Sequence, residues 1–446
     1  MSRTVLWPIG SRGLGTMFVS GCSLVPRPPA RITAVFNEAS LKRNAVTLDE
    51  QLVSTVIGRS SSLFDADLRE HSGEVKRRFS GSRVMVIGAA GSIGSAVVRQ
   101  LIAYGPAMLS LVDPNENGLV ELVRDARSGQ LEAPPDFRTH AVELGSTEFE
   151  HLLRATGPLD FVLNLAALKH VRSERDPFTL MRMLETNVLG LDKALELLAT
   201  TRVGKVFSVS SDKAVNPTSL MGASKRWMER VLVAHSARIP SSSARFANVA
   251  FSAGSLLEGF LFRLEKRQPI AAPRDVRRFF MSESEAAELC VLAAALGATN
   301  EIYVPRLSEA EHAVTLESIA RKVLHHAGLE AVECSSEDEA RHSPLLTQAA
   351  PSTWPCYFGE SDTSGEKDVE ELVGSLETVD RAQYRTIAVV RQPAADNAAG
   401  LREARLELER IRGKESWDKS AIVAAVQKAV PEFRHLERGK SLDRKM

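Results

Sequence analysis

The chain has 446 residues, of which 44% are apolar and 25% charged, and its formal net charge is zero. This is the composition of a globular protein with one large domain or two to three ordinary ones. A zero net charge argues against a nucleic-acid or membrane-surface partner. No stretch reaches the roughly 18 apolar residues of a membrane helix, so no integral membrane segment is expected. The four cysteines lack metal-ligand spacing, which predicts a reducing, cytoplasmic location and no metal site.

The start of the chain divides into two stretches. Residues 1–45 carry no sustained periodicity and are predicted to be a poorly ordered tail. An arginine-flanked apolar run within them faintly resembles an export signal, which is the alternative for this stretch. Residues 46–80 show apolar residues at helical spacing and then a charged segment, which predicts a helical lead-in arm.

From residue 81 short apolar runs alternate with amphipathic stretches. Buried parallel strands are typically such short apolar runs, whereas helices repeat every 3.6 residues. The strands predicted up to residue 250 are 84–87, 108–112, 138–144, 161–165, 205–209 and 244–249. The helices predicted among them are 95–104, 118–128, 148–155, 185–199 and 225–237. The alternation predicts an α/β fold, a Rossmann-type doubly wound parallel sheet, over residues 81–250.

Beyond residue 250 the alternation weakens, so residues 251–395 are predicted to form a smaller C-terminal substrate lobe. A polar, turn-rich segment over 335–370 predicts a long loop. Residues 396–446 are predicted to be a helical tail. The elements predicted in these two regions are helices 283–296, 316–327, 399–412 and 418–429, and strands 301–304 and 386–390.

Three glycines, Gly88, Gly91 and Gly94, lie between the first predicted strand and the first helix. In this context such glycines allow a tight turn, a close approach of the backbone to a pyrophosphate, and close helix–sheet packing. Asp113 ends the second strand, where a carboxylate accepts hydrogen bonds from ribose hydroxyls and repels a 2′-phosphate. The pattern therefore favours NAD, with NADP left open. The alternative for Asp113 is a turn that begins with Pro114.

The stretch after the fifth strand places a hydroxyl, a carboxylate and an amine side by side, in Ser211, Asp212 and Lys213, and a second amine at Lys225. The motifs around it resemble the extended short-chain dehydrogenases/reductases, and within them the CapD-like polysaccharide-biosynthesis branch that contains nucleotide-sugar 4,6-dehydratases. The motifs are Gly88-x-x-Gly91-x-x-Gly94, Ala166-Ala167-Leu168-Lys169-His170-Val171, Thr186-Asn187-Val188-x-Gly190, SDKAVNPT at 211–218 and MGASK at 221–225. The resemblance is strong over about 81–281 and continues weakly at 365–372.

This resemblance implies an NAD(P)-dependent 4,6-dehydratase, a lyase, which acts on a UDP-sugar such as UDP-N-acetylglucosamine and forms homo-oligomers. In such a reaction Lys213 removes the C5 proton and Asp212 protonates the departing C6 hydroxyl. Ser211 would bind the C4 hydroxyl, and Lys225 the nicotinamide ribose. A lysine acts as a base only when it is partly neutral, and an adjacent carboxylate opposes this, so the pair is expected to titrate together.

The resemblance also implies two sets of binding residues. Those for the cofactor are Gly88, Gly91, Ser92, Ile93, Gly94, Asp113, Ser146, Ala166, Ala167, Lys169, Asn187 and Lys225. Those for the substrate are Lys169, His170, Asn248 and Arg278. Each has a structural alternative, because a lone histidine is more often structural than catalytic and a basic pair such as Arg277–Arg278 is often merely solvated.

Two positions depart from the family pattern. Met221 stands where these dehydrogenases place a tyrosine, and methionine cannot transfer a proton. The C4 hydroxyl proton must then pass to Lys213, to Asp212 or to a water held by Ser211. Ser146 replaces an aspartate that contacts adenine, which predicts weaker cofactor binding. Two alternatives remain open: a C4 or C5 epimerase on a similar UDP-sugar, and a non-catalytic dinucleotide-binding scaffold.

Overall fold

The structure is a computed structural model, and it describes residues 48–129, 132–361, 370–393 and 398–434. The tail predicted for residues 1–45 and most of the 365–372 motif lie outside these ranges. The α-helices are α1 Glu50–Ile57, α2 Asp65–Phe79, α3 Ser92–Ala103, α4 Glu116–Ser128, α5 Thr147–Thr156, α6 Pro177–Leu184, α7 Gly190–Leu198, α8 Leu220–His235, α9 Leu256–Glu265, α10 Glu283–Leu296, α11 Glu309–His312, α12 Leu316–His326, α13 Glu337–Arg341, α14 Ala398–Arg412 and α15 Lys419–Ala429.

The strands are β1 Arg83–Ile87, β2 Met108–Val112, β3 Asp136–His140, β4 Leu159–Asn164, β5 Val203–Val209, β6 Ser241–Ala244, β7 Asn248–Val249, β8 Ile270–Ala271, β9 Arg277–Met281, β10 Glu301–Pro305, β11 Ala313–Thr315, β12 Glu330–Glu333, β13 Thr353–Tyr357, β14 Thr378–Asp380 and β15 Ile387–Arg391. Nine of them form one sheet in the order β14-β15-β10-β6-β5-β4-β1-β2-β3. The seven strands from β3 to β10 in that order are parallel, and β15 and β14 are antiparallel to their neighbours. The predicted Rossmann-type class is confirmed, because β1 to β6 keep the doubly wound strand order.

The prediction of one continuous strand at 244–249 is wrong. The chain leaves the main sheet after Ala244 and pairs again only at Asn248, in a separate sheet of order β11-β9-β7. The place beside β6 is taken by β10, with Glu301 opposite Ser242. The main sheet therefore continues well past residue 250, and the proposed lobe boundary there does not coincide with a sheet edge. The third strand also ends earlier than predicted, at His140, because the chain turns through Gly145 at a φ of 83°.

The prediction of a long loop at 335–370 is also wrong over much of that range. The segment contains α13, a 3₁₀ turn at Pro344–Thr347 and strand β13. β13 is the centre of a three-stranded parallel sheet, β12-β13-β8, in which Trp354 and Cys356 are buried. The polar residues around this short strand hid it, although three consecutive residues at its centre are buried.

The predicted lead-in arm and the C-terminal helices both pack into the body of the protein. Helices α1 and α2 occupy residues within 46–80, and the buried carboxylate of Asp67 on α2 accepts hydrogen bonds from the backbone N–H groups of Arg385 and Thr386, each at 2.8 Å. Helices α14 and α15 share a buried core with Trp227 of α8. Among the helices within the described ranges, none is both long and apolar enough to cross a bilayer.

Candidate active site

The turn between β1 and α3 has the geometry expected of a dinucleotide-binding loop. Gly88 has a φ of 79°, and a Cβ on it would lie 2.5 Å from the backbone nitrogen of Ala166. A Cβ on Gly94 would lie 2.0 Å from the carbonyl oxygen of Gly88. Gly91 is the N-cap of α3 without a side-chain hydrogen bond, so the first turn of that helix presents its N–H groups outward. Such a turn suits the diphosphate of a dinucleotide.

The side chains around this turn fix its shape. The carboxylate of Asp113 accepts hydrogen bonds from the N–H of Ala90 at 3.0 Å and of Asn115 at 2.8 Å, so it helps to fix the shape of the turn. Ser92 Oγ accepts from the N–H of Ala253 at 2.9 Å, which ties the turn to the loop after β7. Ile93 packs against the core. These contacts favour a preformed loop.

Ser146, the residue predicted near adenine, has a clear structural role. Its hydroxyl accepts a hydrogen bond from the N–H of Phe149 at 3.1 Å and so caps α5. A serine is a favoured N-cap because its oxygen satisfies a first-turn N–H. Its hydroxyl proton remains available as a donor.

The carboxyl end of β5 brings Ser211, Asp212 and Lys213 together in a tight 3₁₀ turn, Asp212–Ala214. Asp212 is 1% exposed, and its Oδ1 accepts from Ser211 Oγ at 2.7 Å, from the Lys213 N–H at 2.8 Å and from Lys213 Nζ at 3.1 Å. Its Oδ2 is buried and has no hydrogen-bond partner among the described residues. A buried carboxylate oxygen without a partner is costly, so it is a strong candidate for contact with a ligand.

Lys213 is held as an ammonium by its neighbours. Its side chain is 27% exposed, and Nζ lies 3.7 Å from Glu370 Oε1 and 3.5 Å from Asn248 Oδ1. Burial lowers the pKa of Lys213, but the charges of Asp212 and Glu370 outweigh burial and the opposing charge of Arg278, so the pKa is raised. The neutral form that a base requires is therefore not the form of Lys213 that this arrangement favours, as the adjacent carboxylate led us to expect.

Helix α8 packs against the Asp212–Ala214 turn. A Cβ on Gly222 would lie 2.3 Å from the carbonyl oxygen of Lys213, so the helix packs directly on the turn. Lys225 is 4% exposed and donates to the carbonyl oxygen of Val209 at 3.0 Å. Burial lowers the pKa of Lys225 to about 8, and the charge of Glu229 limits the shift. The thioether of Met221 belongs to the hydrophobic core, whereas its N–H donates to Glu174 at 2.9 Å.

Asn187 connects α8 to the loop after β4. It lies in a π-helical turn, Glu185–Leu189, between α6 and α7. Its amide accepts from the N–H of Leu168 at 2.9 Å and donates to the Leu168 carbonyl and to Ser224 Oγ. A π-turn re-aims one side chain within a helix and is frequent at functional sites. The 166–168 loop, which carries the predicted cofactor residues Ala166 and Ala167, is thereby fixed.

A cleft of about 760 Å³ opens beside these loops, and it is lined by His170, Arg172, Arg263 and Tyr357 among others. The His170 ring packs on Gly254, where a Cβ would lie 2.7 Å from the ring, and Lys169 Nζ donates to Ser252 Oγ at 3.1 Å. Burial and the charges of Lys169 and Arg172 lower the pKa of His170. The lowered pKa favours a neutral His170, so the cations that line the cleft are Arg172 and Arg263, and three glutamates line it with them.

The other predicted substrate residues lie near the Asp212–Lys213 turn. Asn248 Nδ2 donates to the Phe279 carbonyl at 3.3 Å, which leaves its Oδ1 facing Lys213. Arg278 is 6% exposed, so it is not the solvated basic residue of the alternative interpretation. Its Nη1 donates to the Arg277 carbonyl at 2.8 Å.

Two parts of the site were not predicted from the sequence. Glu370 beside Lys213 belongs to the weak 365–372 motif, and only that motif could have pointed to it. The second is a buried ion network in which the guanidinium of Arg245 contacts Glu229 and Glu377 at 2.6–2.7 Å. Ser210 Oγ donates to Glu229 at 2.6 Å, so the network reaches the end of β5. Burial raises the pKa of Glu229, but the charge of Arg245 outweighs it and lowers the pKa to about 2.

The doubly wound sheet, the glycine turn and the Ser211–Lys225 block together define a protein of the short-chain dehydrogenase type. More narrowly, the chain belongs to the family described as polysaccharide biosynthesis protein, which matches residues 84–392. The family resemblance stated from the sequence is confirmed.

Individual relatives agree with this family. The chain is 31% identical over 242 residues to an uncharacterised membrane protein of Methanocaldococcus jannaschii, covering 52% of this chain and 69% of that protein. It is 29% identical over 260 residues to the capsular polysaccharide biosynthesis protein CapD of Staphylococcus aureus, covering 56% of this chain but only 41% of CapD. A UDP-glucose 4-epimerase of Rickettsia canadensis is 27% identical over 261 residues, or 54% of this chain and 71% of the epimerase.

A solved structure shows the same fold. The structure of Pen from Bacillus thuringiensis superposes with a TM-score of 0.59 at 20% identity, covering 71% of this chain and 89% of Pen. At this level of identity the superposition supports the architecture alone.

Proposed function

We propose that this protein is an NAD(P)-dependent nucleotide-sugar 4,6-dehydratase, with UDP-N-acetylglucosamine as the substrate to test first, in the synthesis of polysaccharide precursors. The observation that carries this proposal is the turn at the end of β5. It presents a buried carboxylate next to an amine 3.1 Å away, and one oxygen of that carboxylate has no hydrogen-bond partner within the described part of the chain. Dehydration needs an acid and a base on one sugar, and these two groups supply them.

The residues that would hold the dinucleotide are the 88–94 turn, Asp113, the 166–168 loop and Lys225. When bound, a nicotinamide dinucleotide accepts a hydride from C4 of the sugar and later returns it to C6. Asp113 near the ribose position favours NAD. In the cleft that His170 lines, the guanidinium groups of Arg172 and Arg263 would bind the substrate diphosphate.

The proton steps follow from the geometry of the turn. Asp212 Oδ2 takes the proton of the C4 hydroxyl as C4 becomes a ketone. Asp212 is thus the proton acceptor in place of the tyrosine that Met221 replaces. The ketone acidifies C5, and neutral Lys213 removes that proton. Asp212 then gives its proton to the departing C6 hydroxyl, and water leaves. Lys213 returns its proton to C5 when the hydride reaches C6. The net change is the loss of one water.

Neutral Lys213 is the minority form in the free protein, because its carboxylate neighbours favour the ammonium. Two changes, one on substrate binding and one during the oxidation of C4, reduce this preference for the ammonium. Enclosure by the sugar removes solvent from a side chain that is 27% exposed, and protonation of Asp212 removes one of the two negative charges. Ser211 Oγ, 2.7 Å from Asp212 Oδ1, helps to orient the carboxylate.

The test is to incubate the purified protein with NAD+ or NADP+ and a panel of UDP- and dTDP-sugars, and to follow product mass. A dehydratase gives a product lighter by one water. Lys213→Met and Asp212→Asn should each reduce the rate by about 100- to 10,000-fold. Lys76→Met, at an exposed position on α2, is the matched control and should leave the rate unchanged.

An epimerase is the second candidate, because the relatives include a UDP-glucose 4-epimerase. An epimerase would change the sugar without changing its mass, so the same assay separates the two activities. A scaffold role would follow instead if the protein bound the dinucleotide, converted none of the sugars, and Lys213→Met had no effect in cells.

A further inference from the structure

Glu370 reaches the candidate active site from a distant part of the chain. It is 6% exposed, and its Oε1 lies 3.7 Å from Lys213 Nζ. On the other side, Lys213 Nζ lies 3.1 Å from Asp212 Oδ1. The ammonium is therefore bracketed by two carboxylates, whereas Arg278 from β9 opposes them and Asn248 from β7 adds a neutral acceptor.

The segment that follows Glu370 is anchored to the sheet by three contacts. Glu371 accepts from Asn216 Nδ2 at 3.1 Å, just beyond the Asp212–Ala214 turn. The Leu372 carbonyl accepts from buried Arg245 at 3.2 Å. Leu372 also packs in a small core with Ile302 and Val390. These contacts hold the backbone next to Glu370 against the strands that carry the site, so the position of its carboxylate is set by the fold.

We propose that Glu370 is a positioning residue that holds the Lys213 amine between two carboxylates and thereby sets how readily that amine gives up its proton. The proposal takes its catalytic meaning from the dehydratase function proposed above. Glu370 transfers no proton itself. It acts on the reaction through Lys213, because the base at C5 must first be neutral.

The size of the effect follows from the geometry. An opposite charge within about 4–6 Å typically shifts a pKa by 1–3 units, and partial exposure of Lys213 places this pair at the lower end. Removing the Glu370 charge should therefore lower the pKa of Lys213 by about one unit, which increases the neutral fraction about tenfold at a given pH. The rising limb of the pH–rate profile should move to lower pH by the same amount.

The experiment compares the wild-type protein with Glu370→Gln and with a matched control, Glu371→Gln. The control makes the same chemical change one residue along, at an exposed carboxylate that contacts Asn216 rather than Lys213. The reactivity of Lys213 is measured by trace labelling of the intact protein with acetic anhydride from about pH 8 to 11, with the labelled peptide quantified by mass spectrometry. The pH–rate profile of dehydration is measured on the same three proteins.

The proposal is supported if the midpoint pH of Lys213 labelling falls by about one unit in Glu370→Gln and is unchanged in Glu371→Gln. An unchanged midpoint in Glu370→Gln, or an equal shift in both variants, overturns it. If Glu370→Gln does not fold, Glu370→Asp takes its place, because it withdraws the same charge from Lys213 by one methylene; a lowered midpoint in that variant supports the proposal and an unchanged midpoint overturns it. Labelling needs no turnover, so a wild-type protein that converts no sugar counts against the dehydratase function alone.

Discussion

Replacing Arg245 by methionine should destabilise the protein more than any exposed ion-pair substitution, because the guanidinium is fully buried between two carboxylates. Arg245 is 0% exposed and donates four hydrogen bonds of 2.6–2.7 Å to Glu229 and Glu377. Its removal would leave the buried carboxylate of Glu229 without its main partner. Breaking a buried pair in this way costs about 3–5 kcal/mol of unfolding free energy.

The pH dependence gives this prediction a second signature. The folded-state pKa of Glu229 is lowered to about 2, so the wild-type pair contributes stability that is present above the unfolded pKa of about 4.5 and is lost as pH falls toward 2. Without Arg245, only Arg226 and Ser210 still favour the ionised carboxylate against burial, so the pKa of Glu229 rises and the variant loses much of this pH-dependent stability. The difference in unfolding free energy between wild type and Arg245→Met should therefore be largest near neutral pH and smaller at low pH.

Urea unfolding at pH 7 and at about pH 3, between the folded and unfolded pKa values of Glu229, measures both effects. Arg385→Met is the matched control, because Arg385 is 72% exposed and pairs with the exposed Glu70. This substitution should lower the unfolding free energy by less than about 1 kcal/mol. Adding Glu229→Gln to Arg245→Met should recover part of the loss, since a neutral amide is less costly to bury than a carboxylate. A loss for Arg245→Met no greater than that of the control, or one independent of pH, would refute this reasoning.

Two further substitutions test the glycine turn and the base of β5. Gly94→Ala should weaken dinucleotide binding at least tenfold and destabilise the protein by about 1–3 kcal/mol, because its Cβ would lie 2.0 Å from the Gly88 carbonyl oxygen; calorimetric titration and thermal melting check this. The control Gly73→Ala, in open space on α2, should instead stabilise by about 0.5–1 kcal/mol. Lys205 has a pKa lowered to about 7 by burial and by Arg78, so its folded-state pKa lies below the unfolded one and stability should rise between pH 7 and 10 by about 3 kcal/mol. Lys205→Met should flatten that rise in urea unfolding, and a slope equal to that of wild type would contradict the assignment.

The parts of the fold that the sequence could predict are those with strong local signals. β1, the glycine turn and the start of α3 follow one another within a dozen residues, and each has its own local signature. The Asp212–Lys213 contact was likewise predictable, because adjacent residues at a strand end stay together. These features can be predicted without knowing which other segments of the chain lie beside them.

Other parts depend on contacts that no local pattern reveals. β6 is Ser-Ser-Ser-Ala and lacks the apolar signature of a buried strand. It is buried because its hydroxyls bond to backbone carbonyls, Ser242 to Ala293 and Ser243 to Ser208, each at 2.7 Å. The position of Glu370 depends on Arg245, which is distant in sequence. The raised pKa of Lys213 likewise depends on Glu370, so its charge state could not be predicted from the adjacent Asp212 alone.

The order of strands in the main sheet also has a consequence for synthesis on the ribosome. β6 is covered on one side by β10, and β10 in turn by β15, which ends at Arg391. While the nascent chain is still being extended toward that residue, the hydrogen-bonding edge of the sheet stays open. An open edge is a template for pairing with another chain. A chaperone that binds extended peptide would therefore be expected to protect translation intermediates that expose β6 or β10, and to be released once β15 has docked.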